Sequence, residues 1–367
     1  MKVPMVDLVA QYKTIRKEVD KVVKEVIESG WFIMGPNVKA FEEEMAQYCG
    51  TQYAVACASG TDALMMGLMA MDIQPGDEVI TTPFTFAATA EVIALLGVKA
   101  VFVDIDPVSY NIDIKAIEKA INKKTKAIIP VHLYGQPADM DEINALAKAS
   151  NLIVIEDACQ AVGAQYKGKR ACSIGDMGCL SFFPAKNLGA YGDGGMILTS
   201  NEELNKKLCM IRDHGSDKRY HHAILGLNSR LDALQAAVLR IKLKYIDEWN
   251  EARKDRAALY TELLKDASVQ VPTVLDDRTH VFHQYTLRVK DRDGLREFLQ
   301  ESGIASAIHY PVPLHMQPAF HDPKQAEGSF PVAEKIAGDV ISLPMYPELT
   351  ENAIQFIASK IIEFTSR

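Results

Sequence analysis

Ala127-Ile-Ile-Pro-Val-His132 and Leu152-Ile-Val-Ile-Glu156 are short apolar segments that flank a segment of helical period, Met140–Ala149. An apolar strand, a helix and a second apolar strand form the unit from which buried parallel sheets are built. The same alternation extends in both directions, and the strand candidates are Tyr53–Cys57, Glu78–Thr82, Ala100–Asp104, Ala127–His132, Leu152–Glu156, Cys179–Phe183 and Gly195–Thr199. The sequence therefore predicts an α/β fold whose mostly parallel, seven-stranded sheet is flanked by helices.

A smaller α/β region is expected after this sheet, because 367 residues exceed one ordinary hydrophobic core. Apolar residues at spacings of three and four after Leu231 predict a long helix, which continues as polar helical sequence to about Lys265. The elements expected beyond it are a strand, a helix, a second strand and a final helix, at His283–Val289, Asp293–Ser302, Ile304–His309 and from Thr350. We therefore predict an N-terminal arm or helix over residues 1–30, a large domain over 31–245 and a small domain over 246–367.

One lysine lies in an unusual sequence context. It is enclosed by apolar residues and a glycine-rich turn in Ser181-Phe-Phe-Pro-Ala-Lys186-Asn-Leu-Gly-Ala-Tyr-Gly-Asp-Gly-Gly195. Lysine normally keeps its ammonium group hydrated. In an apolar, restricted loop, desolvation favours the neutral amine, which forms Schiff bases with aldehydes. The alternative, a solvated loop lysine, fits this context poorly, and we expect Lys186 to be catalytic.

Asp157 ends the strand that precedes this segment. Because ligands collect beyond the carboxyl ends of parallel strands, we expect Asp157 and Lys186 in one crevice. A Schiff-base lysine and an aspartate beside a pyridinium nitrogen are the protein groups of pyridoxal 5'-phosphate chemistry. Taken alone, Asp157 is equally well explained as a helix cap, but the lysine downstream favours the cofactor role.

Six segments in order resemble one family, the DegT/DnrJ/EryC1/StrS group of pyridoxal-phosphate sugar aminotransferases. The resemblance runs from about residue 4 to about residue 347, and the segments are Ala58–Asp62, Thr82–Phe86, His132–Gln136, Glu156–Asp157, Ser181–Lys186 and Asn228–Asp232. It implies an aspartate aminotransferase-like fold of type I and a Lys186 that binds the cofactor and moves protons. Relatives that perform dehydration carry histidine there, so lysine favours transamination.

The resemblance also implies the contacts to pyridoxal 5'-phosphate. Ser59-Gly60-Thr61 and Ser181 match positions that hold the cofactor phosphate, and a strand-to-helix turn with free amides suits that anion. Gln160 matches a position near the ring and Phe86 the aromatic residue that stacks on it, although local sequence alone favours core packing for Phe86. Asn228 matches an asparagine that reaches the partner's cofactor phosphate, which implies a homodimer with shared active sites.

A cationic and polar cluster is expected to meet the substrate. Arg219-Tyr220-His-His222 and Asn228-Ser-Arg230 stand in an otherwise acidic chain, and the alternative for them is a solvated surface loop. In the family, segments similar to His309-Tyr310 line the sugar-nucleotide pocket. Together with Arg219 and Arg230 they are candidates to bind a diphosphate, which suits the planar fork of arginine.

The resemblance predicts an enzyme that moves an amino group from L-glutamate to a keto-sugar nucleotide by two-stage exchange. The segment Arg219–Ala237 is most similar to members that aminate C3, in the first place that of UDP-2-acetamido-2-deoxy-3-keto-glucuronate, for surface polysaccharide (lipopolysaccharide O-antigen) biosynthesis. The alternatives are a dTDP-3-keto-6-deoxyhexose and then a 4-keto sugar. A non-catalytic, cofactor-binding regulatory protein is an alternative of another class; it predicts a lost Lys186 or Asp157, and both are present.

Composition restricts the partners and the compartment. A net charge of -8 argues against sequence-independent nucleic-acid binding, which depends on cationic contacts to phosphate. No apolar run approaches the roughly 18 residues that span a bilayer, and the N-terminus lacks the apolar core of a secretory signal. The six cysteines show no paired spacing. We therefore expect a cytoplasmic protein with reduced thiols, without a metal site and without a membrane partner.

Overall fold

A seven-stranded sheet forms the centre of the N-terminal part of the computed structural model, which describes residues 1–367. The strands up to residue 199 are β1 (Tyr53–Cys57), β2 (Glu78–Thr81), β3 (Lys99–Phe102), β4 (Thr125–Ile128), β5 (Ile153–Asp157), β6 (Gln165–Tyr166), β7 (Lys169–Arg170), β8 (Met177–Ser181) and β9 (Gly195–Thr199). The order across the sheet is β1-β9-β8-β5-β4-β2-β3, and β6 and β7 form a separate hairpin. Only β9 runs antiparallel to its neighbours, so the predicted mostly parallel sheet is confirmed.

Helices cover both faces of this sheet. The helices up to residue 212 are α1 (Leu8–Ser29), which packs on later helices and not on the sheet, and then α2 (Pro36–Cys49), α3 (Gly60–Ala70), α4 (Ala88–Leu95), α5 (Ile114–Ala120), α6 (Met140–Ser150) and α7 (Glu202–Arg212). Alternate residues of β1 belong to different hydrophobic cores: Ala54 and Ala56 to one, Val55 and Cys57 to the other. Burial on both faces explains why the strands read as continuous apolar runs.

The C-terminal part adds a second, smaller sheet. The elements after residue 212 are the hairpin β10 (Ser216–Lys218) and β11 (His221–His222), then α8 (Ala233–Leu243), α9 (Ile246–Leu264), β12 (Tyr285–Arg288), α10 (Arg292–Glu301), α11 (Pro331–Asp339), β13 (Val340–Leu343) and α12 (Glu351–Thr365). The smaller sheet consists of β12 and β13. Short 3-10 turns lie at Leu133–Gly135, Leu314–Met316, Pro318–Phe320 and Pro323–Gln325. No helix has the length and apolar character that crossing a bilayer requires.

Two sequence predictions in this part are wrong. The single long helix is two helices, α8 and α9, and we propose that the large and small domains meet at this break. The predicted strand Ile304–His309 does not form, because the segment divides its hydrogen bonds between partners. Ala305 N–H donates to Val3 (2.9 Å), whereas Ala307 N–H donates to Ser342 (3.1 Å). The strand that pairs with β12 is β13, in antiparallel register.

The first residues of the chain belong to the C-terminal core. Val3 is 4% exposed and packs with Ile304, Leu343 and other residues of the small sheet and its helices. The N–H of Met345 donates to the carbonyl of Met5 (3.3 Å). The chain therefore starts in the C-terminal part and enters the large sheet only after α1.

Candidate active site

A cavity of about 560 Å³ opens at the carboxyl ends of β5 and β8. It brings together most of the predicted site residues, namely Ser59, Gly60, Thr61, Phe86, Asp157, Gln160, Ser181, Lys186, His309 and Tyr310. The remaining four, Arg219, Tyr220, Asn228 and Arg230, do not line it. The crevice expected at the strand ends is therefore present, with the lysine and the aspartate inside it.

Lys186 lies on a tight loop between β8 and β9. The backbone N–H of Lys186 donates to the carbonyl of Phe183 (2.8 Å), and the backbone N–H of Phe182 donates to the carbonyl of Gly194 (2.8 Å). Burial lowers the pKa of the Lys186 amine, while the nearby groups of Cys159 and Asp157 act in the opposite direction. A lowered pKa increases the fraction of neutral amine, which is the nucleophilic form.

Helix α8 holds this loop from behind. The ammonium group of Lys242, whose side chain is fully buried, donates to the carbonyl of Gly189 (2.6 Å). Near the start of α8, the side-chain oxygen of Gln235 accepts from the backbone N–H of Tyr191 (2.8 Å). Burial lowers the pKa of Lys242 to about 8, and the carboxylate of Glu348 partly offsets this effect. The backbone near Lys186 is thus fixed by side chains of a neighbouring helix.

Asp157 ends β5 and is 6% exposed. The hydroxyl of Thr89 donates to its Oδ2 (2.8 Å), and the N–H of Cys159 donates to Oδ1 (3.3 Å). A carboxylate has about four acceptor positions, so these two bonds leave capacity for a donor in the cavity. The carboxylate is therefore oriented by the protein and still available to a ligand.

The turn between β1 and α3 forms a cradle suited to an anion. Ser59 caps α3, since its Oγ accepts from Asp62 N–H (3.0 Å). A Cβ at Gly60 would lie 2.7 Å from the Cβ of Ser181, and one at Gly195 would lie 2.2 Å from the carbonyl oxygen of Ser59. Only glycine permits this close approach. The amides of Gly60 and Thr61, like the first amides of any helix, have no intrahelical acceptor.

Gln160 and Tyr310 form the opposite wall. The amide nitrogen of Gln160 donates to the Tyr310 hydroxyl (3.1 Å), and its oxygen accepts from the N–H of Tyr134 (2.7 Å). Phe86 is 57% exposed and its ring centre lies 6.2 Å from that of Tyr310, so core packing is the wrong interpretation of Phe86. Burial, aided by the charge of Lys186, lowers the pKa of His309 to about 4, which makes its imidazole neutral.

The four residues outside the cavity lie on surface segments. Arg219 and Tyr220 connect β10 to β11, and Tyr220 is 83% exposed. Arg230 donates to the carboxylate of Asp213 (2.9 Å), and Asn228 forms an isolated bridge with the same residue. Between them, Ser229 is fully buried and donates to Asp62, the residue next to the cradle (2.6 Å).

Several lining residues were not predicted from the sequence. They include Thr85, Thr89, Cys159, Asp193, His283, Gln284 and an apolar group formed by Met5, Val6, Ala307, Leu343 and Met345. The spacing of four between Thr85 and Thr89 is the only local signal among them, since a helical pattern would place two such hydroxyls on one side; in the structure Thr85 precedes α4. The apolar group comes from three distant parts of the chain, which no local pattern connects.

Comparison with known proteins identifies the family. Residues 13–362 match the model of the DegT/DnrJ/EryC1/StrS aminotransferase family. The chain belongs to this family. The predicted family and aminotransferase class are thereby confirmed.

Three relatives match almost the full length. The chain is 52% identical to the pleiotropic regulatory protein of Geobacillus stearothermophilus, covering 99% of each chain. It is 49% identical to UDP-N-acetyl-3-dehydro-alpha-D-glucosamine 3-aminotransferase of Acidithiobacillus ferrooxidans, covering 98% of this chain and 97% of the relative. It is 46% identical to UDP-2-acetamido-2-deoxy-3-oxo-D-glucuronate aminotransferase of Pseudomonas aeruginosa, covering 98% and 99%. Sugar aminotransferases of the family thus include relatives that are named for 3-keto substrates.

Solved structures agree with the fold and the cofactor class. S. venezuelae DesV, in complex with a ketimine intermediate, superposes with a TM-score of 0.97 at 41% identity, covering 100% of this chain and 99% of DesV. The Bacillus subtilis protein NtdA, with bound cofactor PMP, gives a TM-score of 0.91 at 34% identity, covering 99% and 85%. The predicted fold class is confirmed, and pyridoxal phosphate as the family's cofactor is confirmed with it.

Proposed function

We propose that this chain is a pyridoxal 5'-phosphate-dependent enzyme that transfers an amino group from L-glutamate to a keto-sugar nucleotide. The observation that carries the proposal is the pairing, in one cavity, of a half-buried lysine of lowered pKa with an oriented aspartate. Lys186 supplies the amine and Asp157 the carboxylate that this cofactor chemistry needs.

The donors of the cavity fit the cofactor. Ser59, Thr61 and Ser181 supply hydroxyls beside the free amides at the start of α3, which suits a phosphate. Asp157 is 6% exposed and would face a ring nitrogen, while the exposed ring of Phe86 would offer a stacking surface. No arginine lines the cavity, so the cation that would complete a phosphate site is not supplied there by the same chain.

Each residue has a distinct role in the proposed reaction. Bound pyridoxal phosphate supplies an electrophilic carbon for amines and a ring that delocalises electrons from the adjoining carbon. The amine of Lys186 would hold the cofactor and, when free, would move a proton at the substrate carbon. Asp157 would accept from a protonated ring nitrogen, and Gln160 and Tyr310 would form the wall beside it.

The acceptor substrate is proposed from the relatives. The 3-aminotransferases at 49% and 46% identity are named for UDP-linked 3-keto sugars. We place C3 of UDP-2-acetamido-2-deoxy-3-keto-glucuronate first, a dTDP-3-keto-6-deoxyhexose second and a 4-keto sugar third. A regulatory role is a second candidate because the relative at 52% identity is named as a regulatory protein. The intact Lys186 and Asp157 favour catalysis.

Absorbance spectroscopy tests the proposal. Glutamate alone is expected to bleach the visible band of the bound cofactor, and the correct keto-sugar nucleotide, offered from a panel, restores it in one turnover. Lys186→Ala is expected to abolish the band and turnover, whereas Lys39→Ala, whose side chain is 78% exposed, leaves both unchanged. An active Lys186→Ala enzyme contradicts the proposal, and failure with every amino donor revives the regulatory role.

We also propose a homodimer whose active sites are shared. Asn228, Arg219 and Arg230 do not reach the cavity of their own chain, and that cavity lacks an arginine. The surface exposes large apolar side chains that a partner would cover, among them Trp31, Phe32, Ile33, Phe183 and Leu225. Arginines from a partner would supply the charge that phosphate binding lacks.

Mixing two inactive variants tests this arrangement. Lys186→Ala and Asn228→Asp are each expected to be inactive, the second because its carboxylate would face a phosphate. In a mixed dimer with shared sites, one site carries both changes and the other carries neither. Random exchange then restores about a quarter of wild-type activity, since half of the dimers have one intact site. A mixture no more active than its parents contradicts shared sites.

A further inference from the structure

We propose that Thr89 is a positioning residue of the active site, whose hydroxyl holds the Asp157 carboxylate in the orientation that faces the cofactor ring. The inference extends the proposed function and rests on its cofactor. The contact on which the inference rests is the 2.8 Å hydrogen bond from Thr89 Oγ1 to Asp157 Oδ2. Both residues line the cavity, and Thr89 is only 1% exposed.

The direction of the hydrogen bonds is determined by the chemistry. An ionised carboxylate only accepts, so the Thr89 hydroxyl must donate its one proton to Asp157. The oxygen of Thr89 lies 3.2 Å from the hydroxyl oxygen of Thr85, which is 2% exposed. Since Thr89 has no second proton to give, Thr85 donates to it. The result is a buried chain of two donors that ends on the carboxylate.

This chain stabilises one orientation of the Asp157 carboxylate. Hydrogen bonds to an ionised partner are stronger than neutral ones, so the loss of this contact is costly. The second contact of the carboxylate, from Cys159 N–H, is longer at 3.3 Å and bonds the other oxygen. Without Thr89, the carboxylate would keep only this weaker contact and would be free to rotate about its Cβ–Cγ bond.

A single short segment then arranges two sides of the cavity. Phe86 is exposed to the cavity, Thr89 contacts Asp157, and Thr85 contacts Thr89. The three residues lie within five consecutive positions, of which the first two precede α4 and the last is in its first turn. Any shift of this segment would move the stacking ring and the aspartate's support together.

Three variants separate positioning from stability. Thr89→Val removes the hydroxyl at nearly constant volume, and Thr89→Ser restores it. The matched control is Thr81→Val: Thr81 is fully buried and donates to the carbonyl of Ile129 (2.9 Å), but it does not line the cavity. Cofactor dissociation constants are measured by equilibrium titration, the glutamate half-reaction by stopped-flow absorbance, and stability by urea unfolding.

Thr89→Val is expected to weaken cofactor binding about tenfold, which is the size of effect that the loss of one hydrogen bond to a charged group produces. The rate of the glutamate half-reaction at saturating cofactor is expected to fall at least about tenfold as well. Thr89→Ser recovers both values. Thr81→Val lowers the urea midpoint while leaving both near wild type. The inference is overturned if Thr89→Val binds cofactor and reacts like wild type, if serine does not rescue, or if Thr81→Val has equal effects. A wild-type chain that binds no pyridoxal phosphate refutes the proposed function instead.

Discussion

Replacing Lys242 with methionine is expected to change the pH dependence of stability in a predictable direction. The side chain of Lys242 is fully buried, donates to Gly189 and lies 4.2 Å from the ring centre of Tyr191. Methionine keeps the apolar stem but has no titrating group. The perturbation therefore isolates the charge that fixes the loop of Lys186.

The magnitude follows from the lowered pKa. Burial lowers the pKa of Lys242 to about 8 in the folded chain, against an ordinary value of 10.5. Between these values the unfolded chain binds more protons at this site, so the free energy of unfolding rises with pH. From pH 7 to pH 9.5 the gain is about 2 kcal/mol in wild type, and Lys242→Met lacks it.

Urea unfolding of both proteins at pH 7 and pH 9.5 provides the assay. Buried thiols with raised pKa values, such as that of Cys57, make both proteins less stable at high pH, and this effect cancels in the difference. Lys39→Met, at an exposed lysine, serves as control and should show a constant difference from wild type. A constant difference for Lys242→Met as well would refute the lowered pKa.

Three further outcomes are expected. Gly195→Ala should weaken cofactor binding and cost about 1–3 kcal/mol in urea unfolding, because its Cβ would lie 2.2 Å from the Ser59 carbonyl oxygen; normal binding would contradict the cradle. Glu156→Gln should lower the free energy of unfolding by about 3 kcal/mol, because an amide replaces one acceptor oxygen by a donor NH2 group. The buried carboxylate of Glu156 accepts hydrogen bonds from His132 and from the N–H groups of Cys172, Ile174 and Gly175. Burial lowers the pKa of His280 to about 3, so the unfolded chain binds the extra proton as pH falls below 6.5. Relative to His280→Gln, wild type should therefore lose about 2.5 kcal/mol between pH 7 and pH 4.5, measured by urea unfolding.

The sheet and its site were predictable because their signals are local. The strands of the large sheet lie in apolar segments; Asp157 ends one of them, and Lys186 follows another within five residues. Strand ends on one edge of a parallel sheet converge, which brings the two residues together without knowledge of the tertiary structure. The apolar context of Lys186 also indicated the burial that lowers its pKa.

What the sequence did not reveal depends on contacts between distant residues. The segment Ile304–His309 has the composition of a strand, but its hydrogen bonds go to Val3 and Ser342 separately. The true partner of β12 is the four-residue β13, which directly follows α11 and is too short to stand out. Likewise, Thr89 is an ordinary helical threonine until Asp157, 68 positions away, is placed beside it.

The position of the N-terminus has a consequence for biosynthesis. Met5 and Val6 line the cavity, and Val3 is held by residues on either side of Ile304. A ribosome makes these residues about three hundred positions before Gly303 and Ala305, the partners of Val3. This segment is thus made long before it can dock, and an affinity tag inserted just ahead of it would lie beside the cavity wall. Fusion after α12, where Ser366 and Arg367 are exposed, avoids that wall.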